Sequence, residues 1–224
     1  MNIIFRYTAL LLFLLLPLTM TARDDSDEPI LRDTVKVDFI NGLALRADML
    51  GLLQSAISDH GQYELGLRVN ILDRYFPALE VGLGFKDKND GYTTENDFKA
   101  RAPYFRIGCD MNILKNKHDD YRLYVGARYG FSSFKYDVTI NTEEEDGTIT
   151  RTSYTDMSGK YHMLDLLLGT DAKIWGPLRL GWDVRFRKHL KHSCDPDHEP
   201  TFVPGMGSNK GSQFTGNFNL TIEL

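Results

Sequence analysis

The chain has 224 residues, 26 Lys and Arg against 31 Asp and Glu, a formal net charge of −5, and 42% hydrophobic residues. Mild acidity without a basic patch argues against a nucleic-acid partner. The length allows one all-β domain, and no apolar run reaches the roughly 20 residues of a membrane-crossing helix.

Residues 1–22 have the pattern of an export signal. Arg6 is the only charge before the apolar run Tyr7 to Leu18, and Thr19, Thr21 and Ala22 offer a small-residue cleavage region. Residues 23–41, acidic and aperiodic in their greater part, are expected to form a periplasmic N-terminal tail. From residue 42 onward apolar residues recur with period two, the pattern of strands with one apolar and one polar face.

Eight strands are predicted. The first, 42–50, holds "LALRADM". The second, 62–72, holds "YELGLRVNI", with Tyr63, Leu65, Leu67, Val69 and Ile71 on one face. The third, 75–86, is less regular. The fourth, 103–114, sets Phe105, Ile107, Cys109, Met111 and Ile113 against Arg106, Gly108, Asp110 and Asn112. The fifth, sixth and seventh cover 121–135, 160–174 and 177–188. The eighth, 212–224, alternates strictly to the last residue in "QFTGNFNLTIEL". The connections 73–74, 115–120 and 175–176 are short. Those at 51–61, 87–102, 136–159 and 189–211 are longer. Short turns at one end and long loops at the other indicate an eight-stranded antiparallel up-and-down transmembrane β-barrel over 42–224, with periplasmic turns and extracellular loops.

Three features turn the polar face inward. Its charges are Arg46, Arg68, Arg106, Arg122, Arg128, Lys173, Arg179, Arg185 and Arg187 against Asp48, Glu64, Glu80, Asp110, Asp165, Asp171, Asp183 and Glu223. The signs nearly balance, and only one of the chain's 12 lysines is included. Arginine, which forks onto carboxylates and stays charged, suits a crowded interior better than lysine does. Glycines such as Gly66, Gly82, Gly108 and Gly126 share this face, where a narrow lumen needs room and an exposed strand gains nothing. Aromatic residues fall into two belts: Tyr75, Tyr121 and Trp175 at the short-turn end, and Tyr63, Phe85, Phe105, Phe131, Phe186 and Phe214 at the other. In lipid the last strand must pair with the first, which accounts for a strand at the very C-terminus. It also resembles the C-terminal assembly signal of outer-membrane barrels, although it ends in Leu224 where an aromatic residue is usual.

The segments "RAPYFRIGCDMNILKNKHDD", "LYVGARYGFSSFKYDV", "LRLGWDVRFR" and "TFVPGMG" resemble an uncharacterised family of small outer-membrane barrels from Bacteroides-type bacteria. The resemblance implies fold and location, and brings no functional residue with it.

The charges of the inward face are expected to form a buried structural network. His189, His192, Cys194, Asp195, Asp197 and His198 are competent metal ligands within "HLKHSCDPDHEP", but match no standard zinc spacing, and the segment reads first as a polar extracellular loop. "KDKNDGYTTEND" resembles a calcium loop with its glycine misplaced, and "TEEEDG" is a charged loop tip. His162, Asp165, Ser132, Ser133 and His189 fall near the long-loop rim with no motif joining them. The expectation is a monomeric outer-membrane barrel with a filled polar lumen, a structural or surface-binding role, and no catalytic residue or cofactor. Its partners would be lipid, the barrel-assembly machinery during insertion, and an unidentified extracellular or envelope molecule. The alternatives are a rim-located lipid or peptide hydrolase or acyltransferase, and a soluble lipocalin-like carrier. Cys109, pointing into lipid, and Cys194, in an outer loop, are expected as free thiols.

Overall fold

The computed structural model describes residues 39–88, 96–143 and 149–224. The expected export signal, nearly all of the N-terminal tail, the centre of the calcium-like loop and the tip at 144–147 lie outside them. In chain order the elements are β1 (Ile40–Asp48), α1 (Met49–Ile57), β2 (His60–Ile71), β3 (Tyr75–Lys88), β4 (Asp97–Asn112), β5 (Tyr121–Glu143), β6 (Ile149–Trp175), β7 (Leu178–Ser193), β8 (Phe202–Val203), β9 (Gly207–Ser208) and β10 (Ser212–Glu223). Eight strands form a closed antiparallel barrel in the order β1-β10-β7-β6-β5-β4-β3-β2, and β8 pairs with β9 apart from it.

Closure falls where the terminal alternation requires it. Leu45 faces Ile222 and Ala47 faces Leu220. Past the regular ladder, the Leu224 amide donates to the Leu43 carbonyl at 2.7 Å, and the Leu43 amide donates back to the Leu224 carbonyl at 3.3 Å. The last residue is therefore hydrogen-bonded rather than frayed.

The alternation sorts the two faces. Arg106, Arg128, Asp110, Asp165 and Arg185 are buried inside, while Leu65 (63% exposed), Ile107 (61%) and Leu168 (52%) face out. This is opposite to a lipocalin-like carrier, whose cavity is apolar, and that alternative is set aside.

Four segments depart from the expected elements. The expected loop at 87–102 is strand at both described ends, in β3 to Lys88 and in β4 from Asp97. The predicted first strand ends at Asp48, and the expected loop after it contains α1. The Asp48 side chain accepts from the Leu50 amide at 3.1 Å and caps the helix. The expected loop at 136–159 is largely a continuation of β5 and β6 beyond the apolar band, with Thr139 opposite Ser153 and Asn141 opposite Arg151. The segment between β7 and β10 turns inward instead of standing clear of the barrel, and its β8–β9 hairpin seals the mouth. There Phe202, Val203 and Met206 pack against Phe98, Phe134, Tyr136, Tyr161 and Met163.

The opposite end is tied at the β2–β3 turn, where Leu72 and Asp73 adopt positive φ of 56° and 53°. The Asp73 carboxylate accepts from Asn70 at 2.5 Å and Asn41 at 2.9 Å, and meets His118 Nδ1 at 2.7 Å. Burial pushes its pKa up, but these hydrogen bonds outweigh burial and hold it below the usual aspartate value.

Candidate functional site

Two places concentrate chemistry-bearing side chains: the lumen and the sealed mouth. The lumen holds a chain of alternating charge. Starting from the short-turn end, Arg122 binds Glu223, and Arg179 Nε meets Asp171 at 2.6 Å. Arg68 bridges Asp171 at 3.4 Å and Asp110 at 2.9 Å. Arg128 joins Asp110 at 2.7 Å to Glu80 at 3.3 Å. Arg185 contacts Glu80 and Asp183 at 2.8 and 2.7 Å, and Arg46 also binds Asp183. Arg106 binds Glu64 and reaches Asp165 at 3.2 Å, as does Arg187. Every guanidinium of this set thus has a carboxylate partner, as buried charge demands.

Two members of the expected set stand apart. Lys173 has inward parity but lies two residues past Asp171, at the exposed end of β6. Asp48 is buried and inward, yet serves α1 and Gln62, whose Nε2 donates to it at 3.1 Å.

Aromatic rings fill the remaining lumen. Arg68 lies over Tyr124 at 4.7 Å, Arg122 over Phe76 at 5.1 Å, and Arg106 over Tyr104 at 4.5 Å, all within cation–π range. Tyr104 also donates to Glu64 at 2.7 Å. Its ring is clamped between two glycines: a Cβ at Gly82 would come within 2.2 Å of it, and one at Gly205, where φ is +79°, within 2.3 Å. The Gly205 carbonyl accepts from Arg106 and the Met206 carbonyl from Arg187, so the inserted segment is bound to the charge network beneath it. A polar cavity of about 350 Å³ remains beside the segment, lined by Asp48, Gln62, Lys86, Arg187 and Gln213 among others. A smaller one of about 50 Å³ lies at the short-turn end.

The rim residues are dispersed. Ser132 is buried and directed to the Pro103 carbonyl at 3.4 Å. Asp165 belongs to the lumen network. His162 sits on the outer face beside Phe131, with Nδ1 2.5 Å from the Tyr129 hydroxyl. No described hydrogen bond joins a serine to a histidine in this set.

At the mouth, Tyr161 organises the ligand-bearing segment. Its ring stacks on His192 at 5.4 Å and meets His189 at 5.1 Å. Its hydroxyl donates to Cys194 Sγ at 3.5 Å and accepts from Asn209 at 3.2 Å. Burial, then His192, pull the pKa of His189 down. Tyr136 donates to the His198 carbonyl at 2.7 Å, and burial and nearby Cys194 raise its pKa to about 12. Of the candidate ligands, the structure brings His192 and Cys194 together and adds Glu199, with ligand atoms all within 4.8 Å of one another. His189 and His198 stay outside this group, His198 lying 3.8 Å from the Tyr154 ring. Glu199 lies within the same segment, five residues after Cys194, but no standard zinc spacing singles it out there. Both cysteines are free, Cys109 exposed on the outer face and Cys194 partly buried.

The family model described as "Domain of unknown function (DUF6048)" matches residues 4–224. The chain belongs to this family. Three solved structures are similar to the family member described here. Neisserial surface protein A is 11% identical, with 84% of this chain and 100% of that one covered and a TM-score of 0.46. A major outer membrane protein from Thermus thermophilus is 12% identical, with 82% and 98% covered and a TM-score of 0.47. Acinetobacter baumannii CarO2 is 13% identical, with 85% and 100% covered and a TM-score of 0.42. No curated protein matches the chain. The barrel assignment rests on its own strand ladder.

Proposed function

We propose that the protein is a small integral outer-membrane barrel that conducts no solute and presents a sealed, structured outer face with a structural or surface-binding role. The observation that carries this reading is the inversion of the two faces: paired charges fill the interior, and an aliphatic band lies outside. Water cannot cover that band favourably, whereas a closed barrel leaves no unpaired strand edge in lipid. Residues 1–22 serve as the export signal, the barrel-assembly machinery inserts the chain, and the quoted segments favour a Bacteroides-type envelope. An eight-stranded lumen has room for side chains and little else.

In planar bilayers the purified protein is expected to give no large steady conductance. A persistent open pore of porin size would overturn the filled lumen.

Topology is tested by single cysteines in a background lacking Cys109 and Cys194. A membrane-impermeant maleimide on intact cells is expected to label Thr155→Cys, in the β5–β6 extension, and not Lys115→Cys, at the short-turn end. The reverse pattern would invert the barrel. Release of the protein into the soluble fraction without detergent would remove the membrane assignment.

A further inference from the structure

The three ligand atoms of His192, Cys194 and Glu199 lie within 4.8 Å of one another at the sealed mouth. A tetrahedral zinc site, with bonds of about 2.0–2.3 Å, needs its donors roughly 3.3–3.6 Å apart. The closing movement required is about 1 Å, which torsion of the exposed His192 and Glu199 side chains can supply. We propose that His192, Cys194 and Glu199 form a binding site for a zinc-class divalent cation at the mouth of the barrel.

The frame around the three residues is fixed. His192 stands in the β6–β7 ladder directly opposite Tyr161, on whose ring its imidazole stacks. Cys194 follows the end of β7 and packs against the apolar cluster of the mouth. The Tyr161 hydroxyl donates to Sγ at 3.5 Å and orients it, as outer-sphere donors do elsewhere. Glu199 lies between His198, whose carbonyl is held by Tyr136, and the buried Pro200. An Asp197 amide to Asp195 Oδ1 bond of 2.9 Å turns the intervening loop back on itself. One strand, the residue just past its end and a pinned loop thus present the three donors to one point.

The donor set selects the class of ion. Thiolate and imidazole suit zinc and its transition-metal neighbours, whereas calcium and magnesium require oxygen donors. Three protein ligands leave a fourth tetrahedral position for water or an outside ligand, as in open rather than purely structural zinc sites. Deep burial is unnecessary, because the ion's charge is met by thiolate and carboxylate.

The test uses the full mature barrel in detergent, reduced and stripped of metal, and does not depend on where the protein resides. Cobalt(II) is expected to bind stoichiometrically and give a thiolate-to-cobalt charge-transfer absorption, which zinc abolishes by displacement. Cys194→Ser should remove that absorption and Cys109→Ser should leave it unchanged. Glu199→Gln should keep it while weakening zinc binding at least about tenfold, and Tyr161→Phe should weaken zinc binding by about tenfold or more. Heat-modifiable gel migration checks that each variant still folds. Zinc should also protect Cys194 from maleimide in the wild-type protein, a readout that needs no variant. Absence of a charge-transfer band, its survival in Cys194→Ser, or unprotected Cys194 at saturating zinc would each overturn the proposal.

Discussion

Replacing Glu80 with alanine is expected to lower the unfolding free energy by about 3–5 kcal/mol, the cost of stranding buried charge. Glu80 contacts three guanidinium groups: Arg185 at 2.8 Å, Arg128 at 3.3 Å and Arg106 at 3.6 Å. Those arginines are buried, and water cannot reach the positions the carboxylate leaves. Glu80→Gln keeps the volume but loses the charge, and should fall between the wild type and the alanine variant. Lys135→Ala is the comparison at the surface, because the Lys135–Asp156 pair, at 3.0 Å, has side chains 70% and 77% exposed. That change should be within the error of the measurement. Urea titration of the detergent-solubilised barrel, followed through Trp175 and Trp182 fluorescence, gives the comparison. Equal losses for Glu80→Ala and Lys135→Ala would mean that the lumen network does not hold the barrel together.

Deleting residues 219–224 should abolish assembly altogether. Those residues supply every β10 partner of β1, from Asp48 opposite Asn219 to Ala44 opposite Glu223. Without them one edge of β1 is left with free amides and carbonyls in a setting where each costs several kcal/mol. The deletion also removes Thr221, buried in the lumen, and Glu223, which binds Arg122. Surface proteolysis and heat-modifiable gel migration of envelope fractions would report the result. A truncated chain that migrates as a folded barrel would refute closure by the last strand.

The central barrel was legible because each of its strands crosses a sharp boundary between charge and hydrocarbon, so residues such as Leu65, Gly66, Leu67 and Arg68 announce their own direction. Beyond that boundary the sense of the contrast changes. In "KYDVTINT" the alternation persists but reverses, with Tyr136 and Val138 buried on the inward side and Lys135 exposed, whereas in "TRTSYTDM" polar residues occupy both sides, so these strand extensions resemble loop. α1 was hidden for a different reason: Met49 continues the alternation of β1, and the Asp48 cap that ends the strand also fits a lumen charge. At the candidate site, Tyr104 and Tyr124 are buried among the inward arginines, and parity also places them on that face, but a search of it for charge and glycine passes over aromatic rings. The inward insertion of Phe202–Ser208 depends on Tyr104 and Arg106 meeting Gly205 from a distant part of the chain, which no local pattern encodes. Glu199 joins His192 and Cys194 only through that same fold of the loop.

The extended β5–β6 hairpin has one more consequence. The pairing of β6 with β7 stops at Lys160 opposite Ser193. Among the described residues, 152–159 therefore ladder to β5 alone, and their other side has no second ladder, with His198 of the following loop set against Tyr154. An open strand side of this kind is a template on which neighbouring copies could stack in a crowded envelope. The sequence interrupts it. Asp156 takes a φ of 59°, and the ladder shifts between Tyr136 and Val138. The Asp156 amide turns to the Asp137 side chain at 2.9 Å, and its carboxylate takes Lys135. This local kink, with its charges, breaks the flat run of amides and carbonyls that a second strand would need. The hairpin can thus project from the barrel while remaining a poor surface for self-association.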